Sequence, residues 1–110
     1  MRDIKFRSWN KVSKTMYGNS IYNCKDSFDM QLKHPQIYEV MQYIGLEDKN
    51  GRKIYEGDIV KTKEHIGQII YSKGMFFIDV KGDFYLPIYN VSEFMEVIGN
   101  IYENPELLER

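Results

Sequence analysis

Acids, amides and glycines that could bind a cation cluster in residues 45–60, GLEDKNGRKIYEGDIV. Asp48, Asn50 and Gly51 follow the spacing of an EF-hand calcium loop, whose invariant glycine is the sixth residue. Placing Gly51 there puts Leu46 at the first position, which needs an oxygen ligand, and Gly57 at the twelfth, which needs a glutamate. The sequence therefore excludes an EF-hand loop and predicts two chain reversals, at residues 48–51 and 56–58.

The remaining residues with catalytic or metal-binding chemistry are scattered along the chain. Cys24, His34 and His65 lack the short spacing that places two zinc ligands on one element, and nothing near Cys24 indicates a cysteine nucleophile. Asp58 and Asp79 adjoin predicted strands, but their spacing determines no reaction. No GxGxxG or P-loop motif occurs. We therefore predict no catalytic residue, no metal site and no cofactor, and a protein that is not an enzyme.

A basic segment at the amino terminus is the candidate for binding nucleic acid. Residues 1–14 contain five basic residues and one acid, and single strands bind where aromatic rings stack on bases and cations contact phosphates. The candidate binding residues are Lys5, Arg7, Trp9, Lys11 and Lys14. A second interpretation is favoured, because residues 93–109 carry five glutamates and no Lys or Arg. It predicts that the two ends pair, within the chain or between copies.

Aromatic residues make up 15% of the chain, which favours β structure because such side chains fit a half-buried pleated surface. Tyr71, Phe76, Phe77 and Tyr85 lie on predicted strands. They could stack on bases, but a small barrel must fill its own interior. We therefore predict that these four aromatic side chains belong to the core.

Periodicity and turn residues predict mostly strands. Apolar and charged residues alternate over 4–9, residues 10–14 turn the chain, and residues 15–17 return as the second strand of a hairpin. Residues 18–36 show neither period and predict a long loop with a helical turn near 27–32. Further strands are predicted at 38–45, 59–62, 66–72, 75–80, 84–90 and 95–103, with a Gly82–Asp83 turn between two of them. Asn104 and Pro105 have the residue types of a helix cap and a first helical position.

These elements predict a mainly β fold: a small SH3-like or partly open β-barrel with an N-terminal β-hairpin and a short C-terminal helix. The 110 residues suit a single domain. Within it, residues 1–45 supply the hairpin, the variable loop and a strand, and residues 46–110 supply the barrel-like region and the C-terminal helical turn. The sequence shows no apolar run that indicates a signal peptide or a membrane span, so we predict a cytoplasmic protein.

Three blocks of residues resemble the YopX-like proteins of phages and prophages in Gram-positive bacteria. The blocks are IKFRSWN, MQYIGLEDKNGRKIYEGDIV and VIGNIYENPELL, which occur in the expected order and cover nearly the whole chain. Ile44 stands where threonine often precedes Gly-Leu in such proteins. The resemblance implies a mainly β domain that is encoded by a phage genome and acts in the host cytoplasm. It transfers no catalytic or binding residue.

The sequence thus predicts a phage or prophage accessory protein that catalyses no reaction. Its expected partner is an unknown protein or a second copy of itself, and the opposite charges of its ends make a homo-oligomer plausible. The alternative is a nucleic-acid-binding module that uses the basic aromatic N-terminal segment.

Overall fold

The computed structural model describes residues 5–17, 28–80, 84–88 and 94–108. Nine strands, one α-helix and one 3-10 helix occur in these ranges. The strands are β1 (Phe6–Asn10), β2 (Thr15–Tyr17), β3 (Tyr38–Glu47), β4 (Lys53–Tyr55), β5 (Asp58–Lys61), β6 (Ile66–Ser72), β7 (Met75–Val80), β8 (Phe84–Pro87) and β9 (Glu96–Asn100); the helices are α1 (Phe28–Lys33) and the 3-10 helix (Pro105–Leu108). The prediction of a mainly β fold is confirmed.

The chain forms two compact units, Met1–Tyr43 and Ile44–Arg110. The prediction of one domain divided between residues 45 and 46 is not tested by this division and stays a prediction. The loop predicted at 18–36 lies partly outside the described residues, as does the Gly82–Asp83 turn. Within the described part, α1 begins at Phe28, so a helical turn is present near the predicted position.

The first unit contains the predicted N-terminal hairpin. β1 pairs antiparallel with β2 on one side and with β3 on the other. The hairpin turn is held by Asn10, whose Oδ1 accepts hydrogen bonds from the backbone N–H groups of Val12 and Ser13 at 2.9 and 3.0 Å. A buried hydrogen bond from Ser8 Oγ to Gln31 Oε1 (2.5 Å) joins β1 to α1. The hairpin prediction is confirmed.

The second unit is built on a five-stranded sheet with the order β8-β7-β6-β5-β9, all neighbours being antiparallel. One face of the sheet carries the apolar core because alternate side chains of each strand point to the same side. The buried core residues are Ile54, Val60, Ile69, Ile78, Val80, Ile88, Met95 and Val97. The strand predicted at 95–103 is confirmed over its first part, since β9 pairs with β5 there, with a register shift between Ile59 and Val60.

The C-terminal helical turn is present, and Asn104 directly precedes it. Pro105 is the first residue of the 3-10 helix, and the Leu107 N–H donates to the Asn104 carbonyl at 3.1 Å. The side-chain Oδ1 of Asn104 instead accepts a hydrogen bond from the Asn100 N–H at 3.3 Å, so it ties the helix to the end of β9. Asn104 therefore holds the predicted cap position through its carbonyl, while its side chain accepts from a donor of β9 that the local sequence did not reveal.

The β6–β7 hairpin turn provides the first prediction. Lys73 has φ 52° and Gly74 has φ 81°, the two positive values of a type I′ turn. Lysine pays a steric penalty in this region, which asparagine tolerates better. Lys73→Asn is therefore expected to raise the free energy of unfolding by about 0.5 kcal/mol, measured by urea denaturation. Lys14→Asn, at φ 57°, should act in the same direction. Destabilisation by both substitutions would contradict this account.

Candidate binding groove

The five candidate residues of the amino terminus do not form one exposed surface. Arg7 and Trp9 are 7% and 8% exposed, and Lys5 is half-buried. Lys11 is exposed, and its Nζ lies 3.0 Å from Glu39 Oε1 and donates to the Pro35 carbonyl at 2.8 Å. Lys14 is exposed in the hairpin turn. A nucleic-acid surface here would depend on Lys11 and Lys14 rather than on stacking by Trp9. Pairing between the two ends of the chain stays a prediction.

Asp48, an acid of the 45–60 segment, accepts backbone hydrogen bonds through both of its carboxylate oxygens. Its Oδ1 accepts hydrogen bonds from the N–H groups of Asn50 and Arg52, both at 2.9 Å. Its Oδ2 accepts one from the Val97 N–H of β9 at 2.9 Å. Burial raises the pKa of this carboxyl, but the three backbone donors and the positive charge of Arg52 outweigh burial and hold the pKa below its usual value. The carboxylate joins the turn to β9.

Asp58 and Asn100 have the same kind of role at neighbouring reversals. Asp58 Oδ2 accepts a hydrogen bond from the Tyr55 N–H at 2.8 Å, across the turn at 56–57. Asn100 Oδ1 accepts from Tyr102 and Glu103 N–H at 3.0 and 2.8 Å. Among the residues that the structure describes, no three His, Cys, Asp or Glu side chains are grouped as a metal site would require. Asp58 and Asn100 thus each accept hydrogen bonds from backbone N–H groups at their turns.

The core prediction for the strand aromatics was wrong for three of the four. Tyr71 is 55% exposed and Tyr85 is 60% exposed, whereas Phe76 packs partly against the core. Phe77 is half-buried, but it alternates with the buried Ile78 and its ring lies 6.1 Å from that of Tyr85, on the face opposite the core. Tyr71 pairs with Phe76 one position before the last pair of the β6–β7 hairpin, beyond the buried residues, with ring centroids 5.0 Å apart. Tyr85 precedes the inward-facing Leu86 in β8, so it points to the opposite side.

An open cleft of about 480 Å³ lies in the second unit, and we call it the Phe94 groove. Its described lining residues are Thr62, Lys63, Glu64, His65, Leu86, Pro87 and Phe94. Leu86, Pro87 and Phe94 make the lining largely apolar, and Phe94 is 48% exposed. A cleft of this size and character is typical of a binding site.

The β5–β6 connection forms one wall of the groove and is held by a compact turn. The Thr62 N–H donates to the His65 carbonyl at 2.8 Å, and the His65 N–H donates to Thr62 Oγ1 at 3.1 Å. The opposite wall comes from the end of β8, where Pro87 pairs with Phe77 of β7. The groove is therefore positioned by strand ends and by a hydrogen-bonded turn.

A second cleft of about 250 Å³ shares Thr62, Lys63 and Phe94 with the Phe94 groove, and we call it the lysine cleft. Its other lining residues are Lys49, Lys61 and Glu96. Lys63 Nζ lies 4.7 Å from the centroid of the Phe94 ring, within range of a cation–π interaction. The Nζ of Lys49 is 3.8 Å from Glu96 Oε1. Lysine therefore dominates the charge of this cleft.

Sequence reasoning missed both clefts. Their lining residues come from four separate segments of the chain, at 49, 61–65, 86–87 and 94–96. The only local signal was the spacing of Lys61 and Lys63 at the end of a predicted strand, and it did not reveal the aromatic ring beside them.

Comparison with known proteins extends over nearly the whole chain. The chain is similar to protein EF1440 from Enterococcus faecalis in its crystal structure, with 27% identity, a TM-score of 0.66, and coverage of 99% of this chain and 100% of that one. Protein yopX from Bacillus subtilis has the same fold, with 18% identity, a TM-score of 0.63, and coverage of 100% of this chain and 98% of that one. Among curated proteins, no relative matches.

None of the helices in the described residues is long and apolar enough to cross a membrane. The family described as YopX protein matches residues 5–109. This match confirms the resemblance that the three sequence blocks indicate, and the chain belongs to the YopX family.

Proposed function

We propose that this protein works by binding a partner protein in the Phe94 groove and catalyses no reaction. The observation that carries the proposal is the exposed Phe94 ring beside a largely apolar cleft of about 480 Å³. Clefts with a largely apolar lining are the usual sites of binding, and an aromatic side chain that becomes buried on binding often dominates the binding energy.

The use of the polar side chains supports binding over catalysis. Asp48, Asp58 and Asn100 are the buried polar residues nearest the turns, and each of them hydrogen-bonds backbone N–H groups. A catalytic acid or base needs to be within reach of a substrate, in a cleft. Among the described residues that line the groove, the one acid, Glu64, is exposed.

We further propose that the protein is encoded by a phage or prophage and acts in the cytoplasm of the bacterial host. Its resemblance to YopX-like phage proteins is the support for this origin. We also propose that the five-stranded sheet belongs to an SH3-like barrel. The supporting features are its antiparallel strand order and the register shift in β5, since such irregularities help a sheet to curl.

The nucleic-acid alternative makes a distinct prediction at the amino terminus. Binding through Lys11 and Lys14 would weaken steeply with salt, because contacts to phosphates release counterions. Titration with labelled oligonucleotides at low salt tests this alternative. Binding that Lys14→Glu weakens would favour it over protein binding.

Affinity capture from host cells tests the proposed function. Wild-type protein and Tyr71→Ala are expected to retain the same partner protein, and Phe94→Ala is expected to lose it. Tyr71 is the matched control because its ring is similarly exposed but lies outside the groove. Thermal unfolding should show that both variants remain folded. Retention of the same partner by Phe94→Ala, or of no protein by wild type, would contradict the proposal.

A further inference from the structure

The two clefts of the second unit are joined by shared residues. Thr62, Lys63 and Phe94 line both of them, so an apolar cavity and a lysine-rich cavity lie on either side of the same ring. A ligand that fills both must carry an apolar group and, next to it, a negative charge.

We propose that the Phe94 groove and the lysine cleft together bind an acidic polypeptide segment that carries one large apolar side chain. This inference rests on the proposed function and names the chemistry of the partner. The apolar side chain packs against Leu86, Pro87 and Phe94, and the neighbouring carboxylates face Lys61 and Lys63. Apolar burial supplies affinity, whereas charge complementarity supplies orientation and a faster encounter.

A single-stranded nucleic acid fits the clefts less well. The ammonium group of Lys63 already lies over the Phe94 ring, 4.7 Å from its centroid, where a base would stack. Glu64 and Glu96 are part of the walls and would repel a chain that carries a charge at every phosphate. A peptide can place neutral residues opposite these two glutamates, so the observations favour a peptide.

The C-terminal segment of a second copy also combines acidic and large apolar side chains. Glu103 and Glu106 are near Leu107 and Leu108 in the sequence. Both leucines are half-buried in their own chain, and the Leu107 N–H is bonded to the Asn104 carbonyl. The segment would have to leave this position before its leucines could enter a groove. A separate partner therefore fits better.

Selection from a displayed random peptide library tests the proposal. Wild-type protein is expected to enrich peptides with Asp or Glu beside one Phe, Leu or Trp. The best peptide, synthesised with a fluorophore, is then titrated by anisotropy. Lys61→Glu/Lys63→Glu is expected to weaken binding about tenfold or more, and Phe94→Ala to a similar extent.

The control variant is Lys73→Glu/Lys53→Glu, which changes net charge equally at two positions of the second unit outside both clefts. It should leave the affinity within about twofold, since exposed charges at a distance are screened by salt. Equal weakening by both double variants would show only a general charge effect and would overturn the proposal.

Other outcomes overturn the proposal in recognisable ways. Selection without enrichment, or of peptides without acids, excludes an acidic segment as ligand. Competition of oligo(dT) for the same clefts identifies a nucleic-acid site instead. Dimers in sedimentation that Phe94→Ala dissociates identify a second copy as the occupant. If host-cell capture depends on Phe94 but not on Lys61 and Lys63, the proposed function stands and only the acidic chemistry fails.

Discussion

Asp48→Asn is expected to lower the free energy of unfolding by about 2–3 kcal/mol, because a charged, buried acceptor of three backbone hydrogen bonds is lost. An amide keeps one oxygen, which can accept from Asn50 and Arg52. Its NH₂ group must then face the Val97 N–H, donor against donor, where Asp48 Oδ2 now accepts at 2.9 Å. Urea denaturation at pH 7 measures this difference.

The same substitution should change how stability responds to acid. The pKa of Asp48 is lower in the folded protein than its reference value of 3.8. The stabilisation that its carboxylate provides is therefore fully present above pH 3.8. It is lost as pH falls below 3.8 and through the folded pKa. The difference in stability between wild type and Asp48→Asn is therefore expected to be constant from pH 7 to pH 5 and to shrink by pH 3.

Glu64→Gln provides the matched control for both measurements. Glu64 is an exposed carboxylate in the β5–β6 connection, so its loss changes net charge equally without removing a buried acceptor. We expect a change within about 0.5 kcal/mol. If Asp48→Asn were no more destabilising than this control, the carboxylate would not be the link between the turn and β9.

The turn at 48–51 was predictable because Asp, Asn and Gly favour reversals locally, and the structure confirms it with a hydrogen bond from Gly51 N–H to the Asp48 carbonyl at 3.0 Å. The bond to Val97 was not predictable, because it joins residues 49 positions apart. The Phe94 groove could not be predicted for the same reason, because its lining residues come from separate segments of the chain.

Residue type alone did not predict which side chains are buried and which are exposed. Trp9 and Arg7 looked suited to a surface that binds nucleic acid, yet both are buried in the first unit. Tyr71 and Tyr85 looked suited to a core, yet one lies beyond its end and the other on the opposite face. Period-two alternation predicted the strands well, but it could not show which face of a sheet is covered.

Gly67 provides the second prediction with a large effect. A Cβ atom on Gly67 would lie 2.6 Å from Ile78 Cγ2 and 2.7 Å from the Asp79 carbonyl oxygen, and the second of these atoms is backbone. Gly67 thus lets β7 lie close beside β6, its hydrogen-bonded neighbour in the sheet. Gly67→Ala is therefore expected to lower the free energy of unfolding by about 2–3 kcal/mol in urea denaturation.

Gly74→Ala separates this steric effect from the general cost of replacing glycine. Gly74 has φ 81°, and a Cβ there would meet no atom within 4 Å, so only backbone strain of about 1 kcal/mol is expected. Gly67 lacks a positive φ, so its replacement should cost more only because β7 lies so near. If Gly74→Ala proves the more destabilising of the two, the close contact between Gly67 and β7 does not determine the stability of the sheet.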